Sequence, residues 1–208
     1  MSREAYEALR TDAALGPVVE RHGPLSPPPP VDLFERLVVS VLRQQVSMAA
    51  AAATRDRLVD RVEITPEGIL AADRATLRDA GLSRQKARYL HEAAATFRER
   101  GWDREQFADR SDAEVIDALT GITGVGEWTA RMQLIFSLGR PDVFPVGDLG
   151  IRRGMRTLFG EGTTRAEMVE VAERWAPYRS DASRYLWRLD GDGTEGGSGD
   201  GAEGDRGP

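Results

Sequence analysis

From Val31 onward, apolar side chains return every three or four residues, the spacing that lines one face of an α-helix. Leu33, Leu37 and Val41 recur at i+4 behind Asp32, with Glu35 three residues after it in a capping-box arrangement. A second helix starts at Ser47 and runs through an alanine-rich stretch to Leu58. Thr65 and Pro66 supply an N-cap followed by proline at the first helical position. Gly81 and Gly101 are natural stops. Ser111 with Glu114 caps a helix ending near Leu119, and Thr164 with Glu167 caps one ending near Trp175. No run alternates apolar and polar residues for long enough to make a sheet. The pattern predicts an all-α fold of nine or ten helices without internal repeats.

The two ends read differently. Residues 2–22 predict one short helix, separated from the body by the stiff Ser-Pro-Pro-Pro-Pro connector at 26–30. Residues 190–208 have almost no apolar side chain and read as a solvated, disordered acidic tail.

Composition then removes much familiar chemistry. The 208 residues suffice for one sizeable domain or two small lobes. With no cysteine, disulfides, thiol catalysis, cysteine zinc sites and cysteine-ligated iron–sulfur clusters are excluded. Two histidines, His22 and His91, are too few for a histidine metal site or a hydrolase triad. No apolar run is long enough to span a bilayer and no signal peptide opens the chain, so a cytoplasmic protein is expected. The net charge is −6, but the tail holds six acids and one base, so the body carries only −1 and a local basic surface remains available. Of the 28 basic residues only Lys86 is lysine, a bias that a G+C-rich genome or life in high salt would each produce.

The most informative stretch is Leu119-Thr120-Gly121-Ile122-Thr123-Gly124-Val125-Gly126-Glu127-Trp128-Thr129-Ala130. A helix ends, a turn with three glycines follows and a new helix begins. Gly124 and Gly126 let the backbone approach a ligand closely, with N–H groups directed outward at a helix N-terminus, which suits a phosphate. Downstream, Val143-Phe144-Pro145-Val146-Gly147-Asp148-Leu149-Gly150-Ile151 places Asp148 at the start of another helical segment, 22 residues after Gly126. Taken alone, Asp148 is a good N-cap.

The helix–GxxGxG–helix run resembles the helix-hairpin-helix element of DNA repair proteins. Hairpin and aspartate together resemble the helix-hairpin-helix (HhH-GPD) superfamily of DNA glycosylases, and most closely its 3-methyladenine DNA glycosylase II branch, whose V-F-x-x-x-D-x-x-I pattern reads here at 143–151. Val41-Leu42-Arg43-Gln44-Gln45-Val46-Ser47 looks like the family's strand-intercalating loop. Trp175-Ala176-Pro177-Tyr178-Arg179-Ser180, continuing to Trp187, looks like its C-terminal W-x-P-[YW]-R-S segment. The likeness extends over residues 31–189 in the family's order, without the N-terminal sheet domain of some members. It implies a two-lobed helical fold with the active site in the cleft, one lobe about 31–130 and the other about 131–189 with the N-terminal helix.

The resemblance also assigns roles. A base inside a duplex must be flipped out to be reached, and Gln45 stands where the family pushes a wedge, with Gln44, Val46 and Ser47 beside it. Gly124, Gly126 and Thr129 would grip the DNA backbone. Trp128 and Trp187 match pocket walls, with Met132 replacing an aromatic of some members, and an indole face attracts a cationic methylated purine. Asp148 would stabilise the positive charge that builds on the deoxyribose, and orient or deprotonate the water. Members that also cut the strand carry lysine at the position of Trp128; Lys86 lies far along the chain from the hairpin, in what reads as a structural helix, so a monofunctional enzyme is expected. The carbonyls of Thr120, Ile122 and Val125 could hold one structural Na+ or K+, and no other cofactor is implied. The partner would be double-stranded DNA with damaged bases, bound by a monomer associated with the nucleoid.

Two other readings compete. A non-catalytic hairpin module would grip DNA but would need neither Asp148 nor the aromatic pair. A mismatch glycosylase is disfavoured by the missing cysteines and by the Trp/Tyr pattern near the C-terminus. The single lysine, the nearly neutral body and a grip made of dipoles point to an enzyme from a salt-accumulating cell. DNA binding ordinarily weakens with a slope near −0.9 per neutralised phosphate, and contacts from backbone N–H groups release fewer counterions than a basic patch. Base release titrated against KCl should therefore persist into the molar range. Activity confined to low salt would leave genome composition as the account of the arginine bias.

Overall fold

The computed structural model describes residues 1–29 and 31–189. The expected acidic tail lies outside the described residues. Among them the chain forms twelve α-helices, one short 3-10 helix and no strand, as the helical periodicity predicts. It divides into two compact units, residues 31–139 and residues 1–29 with 140–189.

The central unit holds α3 (Leu33–Arg43), α4 (Met48–Val59), α5 (Pro66–Ala71), α6 (Arg74–Asp79), α7 (Arg84–Arg100), α8 (Asp112–Thr120) and α9 (Glu127–Phe136). Nearly every start is capped by a side chain that accepts from a first-turn N–H, which is what fixes these boundaries: Asp32, Ser47, Thr65, Asp73, Ser83 and Ser111. The box at Ser111 and Glu114 closes reciprocally. The one expected at Asp32 is a cap only, because the Glu35 carboxylate turns to Arg55. Leu37, Leu58, Ile69, Leu77 and Leu90 are fully buried. Phe34, Phe97, Trp102 and Phe107 form a ladder of ring contacts with centroids 5.2 to 5.5 Å apart, across which α3, α7 and the chain leading to α8 close on one core.

The second unit holds α1 (Arg3–Arg10), α2 (Gly16–His22), α10 (Leu149–Phe159), α11 (Arg165–Ala172), the 3-10 turn Glu173–Trp175 and α12 (Arg179–Leu189). The single helix expected over 2–22 is two. The Asp12 side chain accepts from the N–H groups of Ala14 and Leu15, an Asx turn that diverts the backbone after α1. Asp12 also accepts from Trp175 Nε1 at 3.1 Å, pinning the N-terminal segment to the C-terminal one. This break adds a helix to the expected number.

The boundary between units also differs from the expected one near 130. It falls after Gly139 because α9 runs unbroken from Glu127 to Phe136 and packs on α3 and α8. In the second unit α10 and α12 approach each other closely at Gly154, where a Cβ would stand 2.5 Å from the Leu186 carbonyl oxygen. Gly154→Ala gains about 1 kcal/mol of helix propensity but costs about 3 kcal/mol of overpacking against backbone that cannot swing aside. The urea midpoint should fall accordingly; an unchanged or higher midpoint would show that α12 shifts at no cost.

Candidate functional site

The carboxylate of Asp148 is built into the start of α10. Asp148 is only 9% exposed, and its Oδ1 accepts from the Ile151 N–H at 3.0 Å and from Trp187 Nε1 at 2.8 Å. A buried carboxylate is tolerable only with such donors, and the positive end of the helix dipole adds to them. The N-cap reading and the functional reading thus describe one geometry.

What brings Trp187 there is the anchoring of α12. Arg179 grips Asp142 with two guanidinium bonds of 2.7 and 2.9 Å, and Glu173 with a third of 2.7 Å. Ser180 Oγ donates to the Arg140 carbonyl and accepts from the Val143 N–H, while the Ser180 N–H donates to the Pro141 carbonyl. The segment 140–144 is thereby fixed to the first turn of α12. It then turns, with the Asp148 N–H donating to the Pro145 carbonyl, and delivers Asp148 to α10. Neither Asp142 nor this use of Arg179 and Ser180 is legible in the spacing, since the partners lie 37 to 40 residues apart. Trp187, expected as a pocket wall, is buried and donates its indole N–H to the carboxylate.

The hairpin belongs to the central unit. α8 ends at Thr120, the Val125 N–H donates to the Ile122 carbonyl at 3.0 Å, and α9 starts at Glu127 with Gly126 as N-cap. Of the three glycines, Gly124 is the one the backbone requires. Its φ is +87°, and a Cβ there would lie 2.3 Å from the Tyr89 ring. Gly126 has an ordinary φ of −95° and nothing within 4 Å of a would-be Cβ. Its bare Cα leaves open space in front of the first N–H groups of α9, which no side chain caps. Thr129 and Met132, expected at a DNA contact and in the base pocket, are both buried in this unit. Trp128, by contrast, is 36% exposed.

The Gln44–Ser47 segment joins α3 to α4. Gln44 Nε2 donates to the Gly124 carbonyl at 2.8 Å, tying this loop to the hairpin. Gln45 is exposed and left-handed, with φ +58°, the only such non-glycine among the described residues. That conformation costs about 1–3 kcal/mol and is held only where surroundings enforce it. Val46 and Met48 beside it are exposed apolar side chains, and Ser47 caps α4. Lys86 lies on α7, the structural helix expected there. Though 40 residues from the hairpin turn, α7 runs beneath it: Lys86 Nζ donates to the Leu42 carbonyl at 2.6 Å, and partial burial lowers its pKa from the usual lysine range. Thr120, Ile122 and Val125 follow one another through the turn, with Thr120 Oγ1 turned back onto the Ile116 carbonyl and Ile122 and Val125 buried.

An all-helical chain that presents a glycine hairpin and, further on, a buried aspartate at a helix N-cap has the parts of a DNA base-excision protein. The model of the HhH-GPD superfamily of base excision DNA repair proteins matches residues 38–177, and the chain belongs to that superfamily. It is similar to the crystal structure of a DNA-3-methyladenine glycosidase from Bacillus halodurans, with a TM-score of 0.82 and 33% identity over 92% of this chain and 90% of that one. A 3-methyladenine DNA glycosylase of Schizosaccharomyces pombe in complex with abasic DNA gives a TM-score of 0.79 at 33% identity, over 89% and 95% of the two chains. DNA-3-methyladenine glycosylase 1 of the same yeast is 36% identical over 162 residues, 74% of this chain and 71% of that protein. The chain spans a smaller share, 58%, of a Bacillus subtilis relative that is 29% identical.

The two hairpin glycines should respond differently to alanine. Gly124→Ala combines backbone strain with a clash on Tyr89 and should cost about 2–3 kcal/mol of stability. Gly126→Ala should change stability by less than about 0.5 kcal/mol yet weaken binding to duplex DNA, read by fluorescence anisotropy. Undiminished binding by Gly126→Ala would remove the first turn of α9 from the interface.

Proposed function

We propose that the protein is a monofunctional DNA glycosylase that hydrolyses the N-glycosidic bond of alkylated purines in double-stranded DNA, the opening step of base excision repair. The observation that carries this reading is the Asp148 carboxylate, shielded from water and held by Trp187 and Ile151, downstream of the glycine hairpin. The relatives named as 3-methyladenine glycosylases support the lesion class. A gripping module would have no use for a carboxylate held in this way.

As the bond to the base breaks, positive charge grows on the sugar. A carboxylate already desolvated and fixed by two donors stabilises that charge without reorganising, and it can orient or deprotonate the attacking water. A cationic purine leaves without a dedicated general acid, so one carboxylate is enough. The Trp128 indole offers a π-face to the same cationic base. The amides of Glu127, Trp128 and Thr129 would take a phosphate, while the Glu127 carboxylate is occupied by Arg131 at 2.7 Å. Gln45 and its apolar neighbour Val46 would fill the gap left by the flipped nucleotide. The carbonyls of Thr120, Ile122 and Val125 are hard oxygen donors that fit a monovalent cation, whose charge would strengthen the pull on a phosphate. The partner is duplex DNA carrying a damaged base, and the protein works on it as a monomer. Among the described residues no helix is long and apolar enough to cross a membrane.

Asparagine at 148 can still cap α10 and accept from Trp187, so Asp148→Asn should fold and bind DNA normally. Base release from an alkylated duplex should fall by about 10²–10³ or more. Turnover close to that of the unaltered protein would reduce Asp148 to a helix cap.

Monofunctionality has its own support: the single lysine amine is engaged by the Leu42 carbonyl, and the N-terminal ammonium donates to the Leu25 carbonyl at 3.1 Å. Borohydride should trap no covalent adduct, and the abasic strand should break only after alkali or heat. A trapped adduct would show that an amine reaches the sugar and would overturn this assignment.

A further inference from the structure

α7 carries two contacts, one helical turn apart, that reach different segments of the central unit. Lys86 Nζ donates to the carbonyl of Leu42, in the last turn of α3, where carbonyls have no helical N–H to receive. Three residues on, the Tyr89 ring packs against Gly124 in the hairpin, and Gln85 donates to the Tyr89 hydroxyl. Positions three apart lie on one helix face. Above them Gln44 Nε2 closes the circuit by donating to the Gly124 carbonyl at 2.8 Å. Between the Lys86 contact and the start of α4 lies the exposed, left-handed Gln45 with Val46 beside it.

We infer that Lys86 is a positioning residue that fixes the root of the Gln44–Ser47 loop relative to the hairpin, so that the wedge and the phosphate grip enter DNA as one rigid piece. The inference rests on the reading that this loop penetrates the duplex. A strained backbone at Gln45 relaxes unless both ends of the loop are held. Ser47 holds one end through the cap of α4, and Gln44 and Lys86 hold the other. Lysine suits the task because one carbonyl oxygen is the target. A compact ammonium meets it in a partly buried place, whereas a guanidinium brings further donors that would need acceptors of their own. Every other basic residue of the chain is arginine, so the one lysine stands at this contact.

The test compares Lys86→Met and Lys86→Arg with the unaltered protein in single-turnover base release from two duplexes. In one, the lesion is paired; in the other it stands opposite an abasic site, where no base pair has to be broken. Lys86→Met should lose about tenfold or more on the paired substrate and distinctly less on the unpaired one, with Lys86→Arg, which keeps the charge but brings donors without acceptors, recovering only part of the rate. A 2-aminopurine beside the lesion should show correspondingly less unstacking with Lys86→Met. Equal losses on both substrates together with a lowered melting temperature would reduce Lys86 to a core contact, and no loss on the paired duplex would overturn the inference outright. Failure of the unaltered protein to release any alkylated base would instead count against the glycosylase reading, and the 2-aminopurine signal would still decide the role of Lys86.

Discussion

A carboxylate withdrawn from water has to be hydrogen-bonded, and much of the second unit is arranged to meet that demand at Asp148. The first turn of α10 supplies a donor, and so does Trp187. Trp187 is within reach because α12 lies against α10 at a glycine, Gly154, where any side chain would strike backbone. α12 is in turn set by Arg179 and Ser180, which bind the segment leading to Asp148. Each link protects the geometry of the next, and the chain of dependence ends on one oxygen atom.

In the central unit the constraint is on backbone, at the hairpin between α8 and α9. This hairpin leads into α9 through Gly126, which makes no side-chain cap and where a Cβ would meet nothing within 4 Å. The nearest carboxylate, Glu127, is paired with Arg131. The stiffness of this face comes from below it. Tyr89 fills the space that a side chain at 124 would need, Gln44 bridges loop and hairpin, and Lys86 ties down the end of α3. The left-handed Gln45 is sustained by that framework, since an isolated residue of its type would avoid the conformation.

Helix identity was legible wherever a local signal decided it. The caps at Asp32, Ser47, Thr65, Ser111 and Thr164 start helices where the spacing predicted, because a side chain two or three residues away satisfies the first amides. The break at Asp12 was missed although the residue favours turns, since its second partner, Trp175, lies 163 residues away and is invisible to a local pattern. The unit boundary was displaced for a similar reason: α9 belongs with α3 and α8 through packing, whereas the expected boundary fell within it.

The sequence by itself determined the helical fold, the glycine hairpin and the aspartate at a helix start, because these depend on residue type, on short-range hydrogen bonds and on spacing along one chain. It also fixed the absence of cysteine chemistry. Only the tertiary structure decided what those parts do to one another. It placed the edge of Trp187 on Asp148, buried Met132 and Thr129, brought Lys86 from a distant segment to the root of the loop, and made Gly124 indispensable while leaving Gly126 free of steric demand. Each of these rests on contacts between residues 35 or more positions apart, or on burial that such contacts create. They exist only after the helices have packed, and periodicity carries no record of them.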